Sequence, residues 1–115
     1  MTIQECYQKI GGDYEAVLKR LMSPNLVRKF IGKFLEDDSY QKLCEEMDAG
    51  NREEAFRAAH TLKGVCLNLG LKNLYTVSSD LTEKLRGREL DGSDELFQKV
   101  REQYNITIDA LKKVE

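Results

Sequence analysis

The sequence predicts an all-α fold, an antiparallel up-down four-helix bundle preceded by one or two short helices. Three observations carry that expectation. Apolar residues recur at helical spacing along almost the whole chain, and strict alternation of apolar and polar residues is nowhere sustained. The segments between these periodic stretches are short, which favours antiparallel neighbours.

The elements follow in order. Tyr14, Val17, Leu18 and Leu21 make one short helical face. Ser23-Pro24 is a start signal, with serine as N-cap and proline at the first helical position. Leu26, Val27, Phe30, Ile31 and Phe34 then fall on one stripe. After Asp37-Asp38-Ser39, the set Tyr40, Leu43, Cys44 and Met47 carries a third segment up to Gly50. Asn51 followed by Glu54 resembles a capping box and opens the next helix, for which Gly70 is the expected end. Leu74, Val77, Leu81 and Leu85 form the following stripe, stopped by "RGRELDGSDE", where Gly87 and Gly92 punctuate a turn. Leu96, Val100, Tyr104, Ile108 and Leu111 carry the last helix.

With 115 residues, the chain is expected to form one domain over 1–115. The 41% apolar and 33% charged fractions, with a single proline, fit a helix-rich globule and not a disordered or collagen-like chain. No apolar run approaches the roughly 20 residues that span a bilayer. The stretch "MTIQECYQKIGG" lacks the layout of a signal peptide. A cytoplasmic monomer without membrane attachment is therefore expected. Net charge is −2 with interleaved signs, so nucleic acid is not expected as a partner. Cys6, Cys44 and Cys66 are odd in number and widely spaced, which suits small apolar packing groups better than a disulfide framework or a zinc site. A single histidine rules out a His-rich metal cluster, and no metal or cofactor is expected in this chain.

That histidine lies in "AHTLKG", followed four positions later by a glycine in the middle of a helical pattern. An interior helical glycine costs about 1 kcal/mol relative to alanine, so the pair needs a reason. At about 100° per residue, Ala55, Ala58, Ala59, Leu62, Val65, Cys66 and Leu69 collect on the side opposite His60 and form the expected core face. His60 then points outward, surrounded by Phe56, Arg57, Lys63, Gly64, Leu67 and Asn68. Side chains lean toward the helix N-terminus, so the residues overlying His60 are Lys63 and Gly64. The glycine leaves the imidazole uncovered, and the lysine brings a cation beside it. Histidine titrates near neutrality, so a nucleophilic neutral ring is available, and a cation offsets the charge of a phosphoryl group placed on it. Phe56 and Leu67 are large, apolar and directed away from the bundle, which suggests a surface that another protein covers.

The stretch "AAHTLKGVCLNLG" resembles the signature of histidine-containing phosphotransfer (Hpt) domains, with lysine, glycine and a second glycine at the third, fourth and tenth positions after the histidine. His60, Lys63, Gly64 and Gly70 match, and the likeness runs from "GGDYEAVLKRLM" through "LYTVSSDLTEKLRG" to the last helix. The resemblance implies a phosphoryl carrier with no ATP or metal site of its own, relaying between aspartates of receiver domains. His60 would be phosphorylated, Lys63 would assist electrostatically and Gly64 would admit the partner. Response-regulator receivers, which bring Mg²⁺, and a hybrid histidine kinase are the implied partners. Phe56, Arg57, Leu67 and Asn68 are the expected docking residues. The family often has a small residue where this chain has Leu67, which either narrows partner choice or strengthens docking, and alanine is frequent where this chain has Leu71. A histidine kinase module would need glycine-rich ATP-binding segments that the region after Gly70 does not offer. A helical bundle that only binds a partner is the alternative.

Overall fold

The computed structural model describes residues 1–87 and 91–114. Among these, seven helices and no strand are present: α1 (Ile3–Lys9), α2 (Tyr14–Leu21), α3 (Pro24–Glu36), α4 (Ser39–Asp48), α5 (Arg52–Asn68), α6 (Lys72–Arg86) and α7 (Ser93–Leu111). The all-α expectation holds. In the bundle, α4 packs on α5, α5 on α6 and α6 on α7. The Tyr40 and Tyr104 rings, stacked with centroids 3.8 Å apart, join α4 to α7. Phe34 meets the same Tyr104 edge-on and brings α3 against α7. No helix among the described residues is long and apolar enough to cross a membrane.

α1 is an addition to the expected elements. Its start was written in Thr2 and Glu5, which form a full capping box: each side chain accepts the other residue's backbone N–H at 3.1 Å. Two turns leave too little periodicity to register, although Ile3, Cys6 and Tyr7 bury one face. At Asn51 only half of the expected box exists. Its side chain accepts the Glu54 N–H, but its own N–H donates to Glu46, closing the end of α4 around Gly50. The stripe expected on α3 is narrower than drawn: Val27, Ile31 and Phe34 are buried, whereas Leu26 and Phe30 remain 39% and 36% exposed. On α6 and α7 the core also takes Ser78, Thr82, Ser93 and Thr107. Thr82 donates to the Ser78 carbonyl at 2.7 Å, while the Ser78 hydroxyl itself has no partner. Part of the expected turn at "RGRELDGSDE" falls on residues 88–90, outside the described residues; Gly87 caps the end of α6 and Gly92 precedes α7.

The end of α5 is the most heavily tied junction. Gly70 takes a φ of +64°, and the Leu71 N–H reaches back to the Cys66 carbonyl at 3.0 Å. Two segments from the start of the chain fasten there. The Asp13 N–H donates to the Gly70 carbonyl at 2.8 Å, and the buried Tyr7 hydroxyl donates to the Leu69 carbonyl at 2.7 Å. A Cβ on Gly70 would stand 2.7 Å from the Asp13 carbonyl oxygen. Gly70→Ala therefore meets both an unfavourable backbone region and a backbone clash, and is expected to destabilise the fold by about 2 kcal/mol or more, measured by urea unfolding.

Burial also raises the pKa of the Tyr7 hydroxyl, with Cys6 and Tyr14 adding to the effect, and that of the Cys66 thiol. It pushes Tyr40 up to about 12, helped by Cys44. Since each folded value lies above the ordinary one, the unfolded chain loses these protons first. The stability they contribute is full below the ordinary values of 9.0 and 10.0 and is lost as pH rises beyond them. Urea midpoints are expected to be flat up to about pH 8.5 and to fall steadily above it, with Tyr7→Phe flattening part of the slope.

Candidate functional site

The site is built on α5, whose two sides have different company. Ala55, Ala58, Ala59, Leu62, Cys66 and, just past the helix, Leu69 are buried, and Val65 is half-buried at the edge of that face. His60 consequently faces solvent. The helix is opened by Asn51 and carries Glu53 and Glu54 in its first turn, where carboxylates suit the positive end of the helix dipole.

The singled-out residues divide into three groups. Phe56, His60, Lys63 and Gly64 form one continuous strip, at the turn-by-turn spacing of neighbours on a helix surface. The Phe56 and His60 rings are parallel within 2°, with centroids 6.0 Å apart. Lys63 and Gly64 are half-buried. A Cβ built on Gly64 meets nothing within 4 Å outside its own helix backbone, so packing elsewhere in the chain does not exclude a larger residue here. Arg57 is exposed and turned toward Glu53 and Glu54, at 3.3 and 3.5 Å. Leu67 and Asn68 lie about 10 to 12 Å beyond His60 along the axis. Leu67 is 52% exposed, and its carbonyl accepts a 2.9 Å bond from Arg20 Nη1 on α2. Asn68 lines a different recess of about 400 Å³, shared with Arg20, Phe30 and Val65.

Sequence reasoning missed the contribution of α6. Arg52 Nη1 donates to the Leu85 carbonyl at 2.7 Å, which sets the start of α5 against the end of antiparallel α6. That register brings in Arg86, whose guanidinium lies 5.0 Å over the Phe56 ring. Arg86 also holds Glu83 through two bonds, Nε to Oε2 at 3.1 Å and Nη2 to Oε1 at 3.3 Å. The Arg86 bond lowers the Glu83 carboxyl below the usual carboxylate range, and the charges of Lys63 and His60 pull it the same way. The sequence offered only one weak sign of this pair, an acid and a base three residues apart in the last turn of α6.

The arrangement presents an uncovered imidazole with a lysine one turn on, and one turn back a half-buried Phe56 over which an arginine of α6 lies. Such a ring can act as a nucleophile toward an electrophile brought from outside, with cations at hand for an anionic group. No curated protein and no solved structure matches the chain at a significant level. The family model of the Hpt domain matches residues 27–113, which takes in most of α3 and all of α4 to α7. Hpt domains are the histidine phosphotransfer modules of phosphorelays, and this chain belongs to the Hpt domain family.

Proposed function

We propose that the protein carries a phosphoryl group on His60 and relays it between aspartates of receiver domains. The observation that carries this reading is the pairing of an exposed His60 with a Gly64 that the rest of the fold leaves uncrowded. A helical glycine with open space above it lowers the stability of the free chain, so its benefit is sought in a complex. In the relay, the neutral ring nitrogen attacks phosphorus as the aspartyl oxygen departs with the bonding electrons. The reverse step regenerates an aspartyl phosphate on the next receiver. Lys63 offsets the charge that His60 acquires, while Mg²⁺ and in-line alignment belong to the receiver's site. Docking spreads along α5 from Phe56 and Arg57 to Leu67 and Asn68, with the exposed Phe30 of α3 bordering the far end.

His60→Gln, which keeps a polar side chain of similar reach, is expected to bring acceptance of ³²P from a phosphorylated receiver down to background while receiver binding persists. The label on the parent protein should be lost in acid and survive alkali. Label retained by the variant would transfer the carrier role elsewhere, and binding without any label on the parent would leave a module that only docks.

Gly64→Ala separates folding from function. The free chain should gain about 1 kcal/mol in urea unfolding, since alanine is the better helix former and no atom beyond the helix stands in its way. Transfer from the receiver should slow by about tenfold or more, equivalent to about 1.4 kcal/mol of transition-state stabilisation.

A further inference from the structure

A site built only to hold a phosphoryl anion would be expected to exclude carboxylates, yet the arginine that covers Phe56, the ring beside His60, is bound to Glu83. Its placement is fixed by a row of contacts running from α6 to α5. Glu83 is gripped by Arg86 at 3.1 and 3.3 Å, Arg86 covers Phe56 at 5.0 Å, and Phe56 lies parallel to the imidazole at 6.0 Å. Arg86 is thus committed to a carboxylate in the free protein and is not simply a spare cation.

We propose that Glu83 sets how readily the phosphorylated protein gives up its phosphoryl group, by opposing the negative charge on His60 and by occupying Arg86, which would otherwise stabilise that charge. The inference rests on the reading of His60 as the carrier. A phosphoryl group adds about 1.5 to 2 negative charges near neutral pH. Transfer places an anion on a ring that carried no negative charge before, in the neighbourhood of Glu83. The phosphorylated state alone is therefore raised in energy by the carboxylate, while Lys63 and Arg86 act in the opposite direction. In the discharging step the P–N bond breaks, its electron pair returns to the ring nitrogen, and a P–O bond forms to the acceptor carboxylate. When water is the acceptor, its proton passes to solvent. Either step relieves the repulsion from Glu83. Its action is exerted through the field around His60, without contact with the reacting atoms.

All these groups are at or near the surface, so the effect must weaken with salt. That gives it a signature that loss of structure would not produce. The full-length chain and its Glu83→Gln and Arg86→Gln variants would be loaded with phosphoramidate, a small P–N donor, and followed by ³¹P NMR. Two quantities are read: the pH midpoint of the phosphoryl group's second ionisation, and the rate of P–N hydrolysis. Glu83→Gln should lower the midpoint and lengthen the lifetime of the phosphorylated protein about two- to fivefold at low salt. Arg86→Gln should move both in the opposite direction, and the differences should shrink at high salt. Unchanged midpoint and lifetime in Glu83→Gln, or shifts of the same sign in both variants, would overturn the tuning role and leave the carrier reading intact. Absence of a phosphohistidine signal in the parent, or its persistence in His60→Gln, would instead remove the carrier assignment and this inference with it.

Discussion

The arrangement of the site depends on one-sided burial of α5. Ala55, Ala58, Ala59, Leu62 and Cys66 occupy the face that α4 and α6 cover, and three of the five are alanines. Small side chains allow close approach of neighbouring helices, and close approach leaves little room to rotate. Turning α5 by one residue would put His60 or Arg57 into the core and lift an alanine out of it. Desolvating an ionisable side chain without a partner is costly, and exposing the alanine methyl group adds to that cost. The outward direction of His60, and with it the position of Lys63 and Gly64, is thus a by-product of packing on the other side of the helix.

This is also why the strip on α5 was legible in the sequence. Angular position on one helix follows from residue number alone, and the exposure of His60, Leu67 and Asn68 could be read from the periodicity. What periodicity cannot supply is the register between helices. Arg86 comes to lie over Phe56, with Glu83 bound to it, because Arg52 meets Leu85, a relation between residues 33 positions apart. The α3 stripe shows the converse error. Leu26 and Phe30 are apolar and correctly spaced, but the core accepts only the side carrying Val27, Ile31 and Phe34. Helix α1 was missed for want of length, although its capping signal was present.

The glycines at the two ends of the motif answer to different demands. Gly70 is held by the fold: its backbone conformation and the approach of Asp13 both exclude a side chain. Gly64 has an ordinary helical backbone and unfilled space above it. A pattern of residues that looks uniform in sequence therefore combines a structural requirement with a position that intramolecular packing leaves open. Only coordinates separate them.

The ties on the far end of α5 come from α1 and α2 and the turn between them. Tyr7, Asp13 and Arg20 bond in turn to the carbonyls of Leu69, Gly70 and Leu67. All three residues precede position 27, where the family match begins. The segment common to Hpt domains thus supplies the imidazole and its neighbours, and a separate N-terminal brace sets the backbone beneath Leu67. The surface at that end can be altered from behind, by a shift in α1 or α2 that leaves the imidazole where it is.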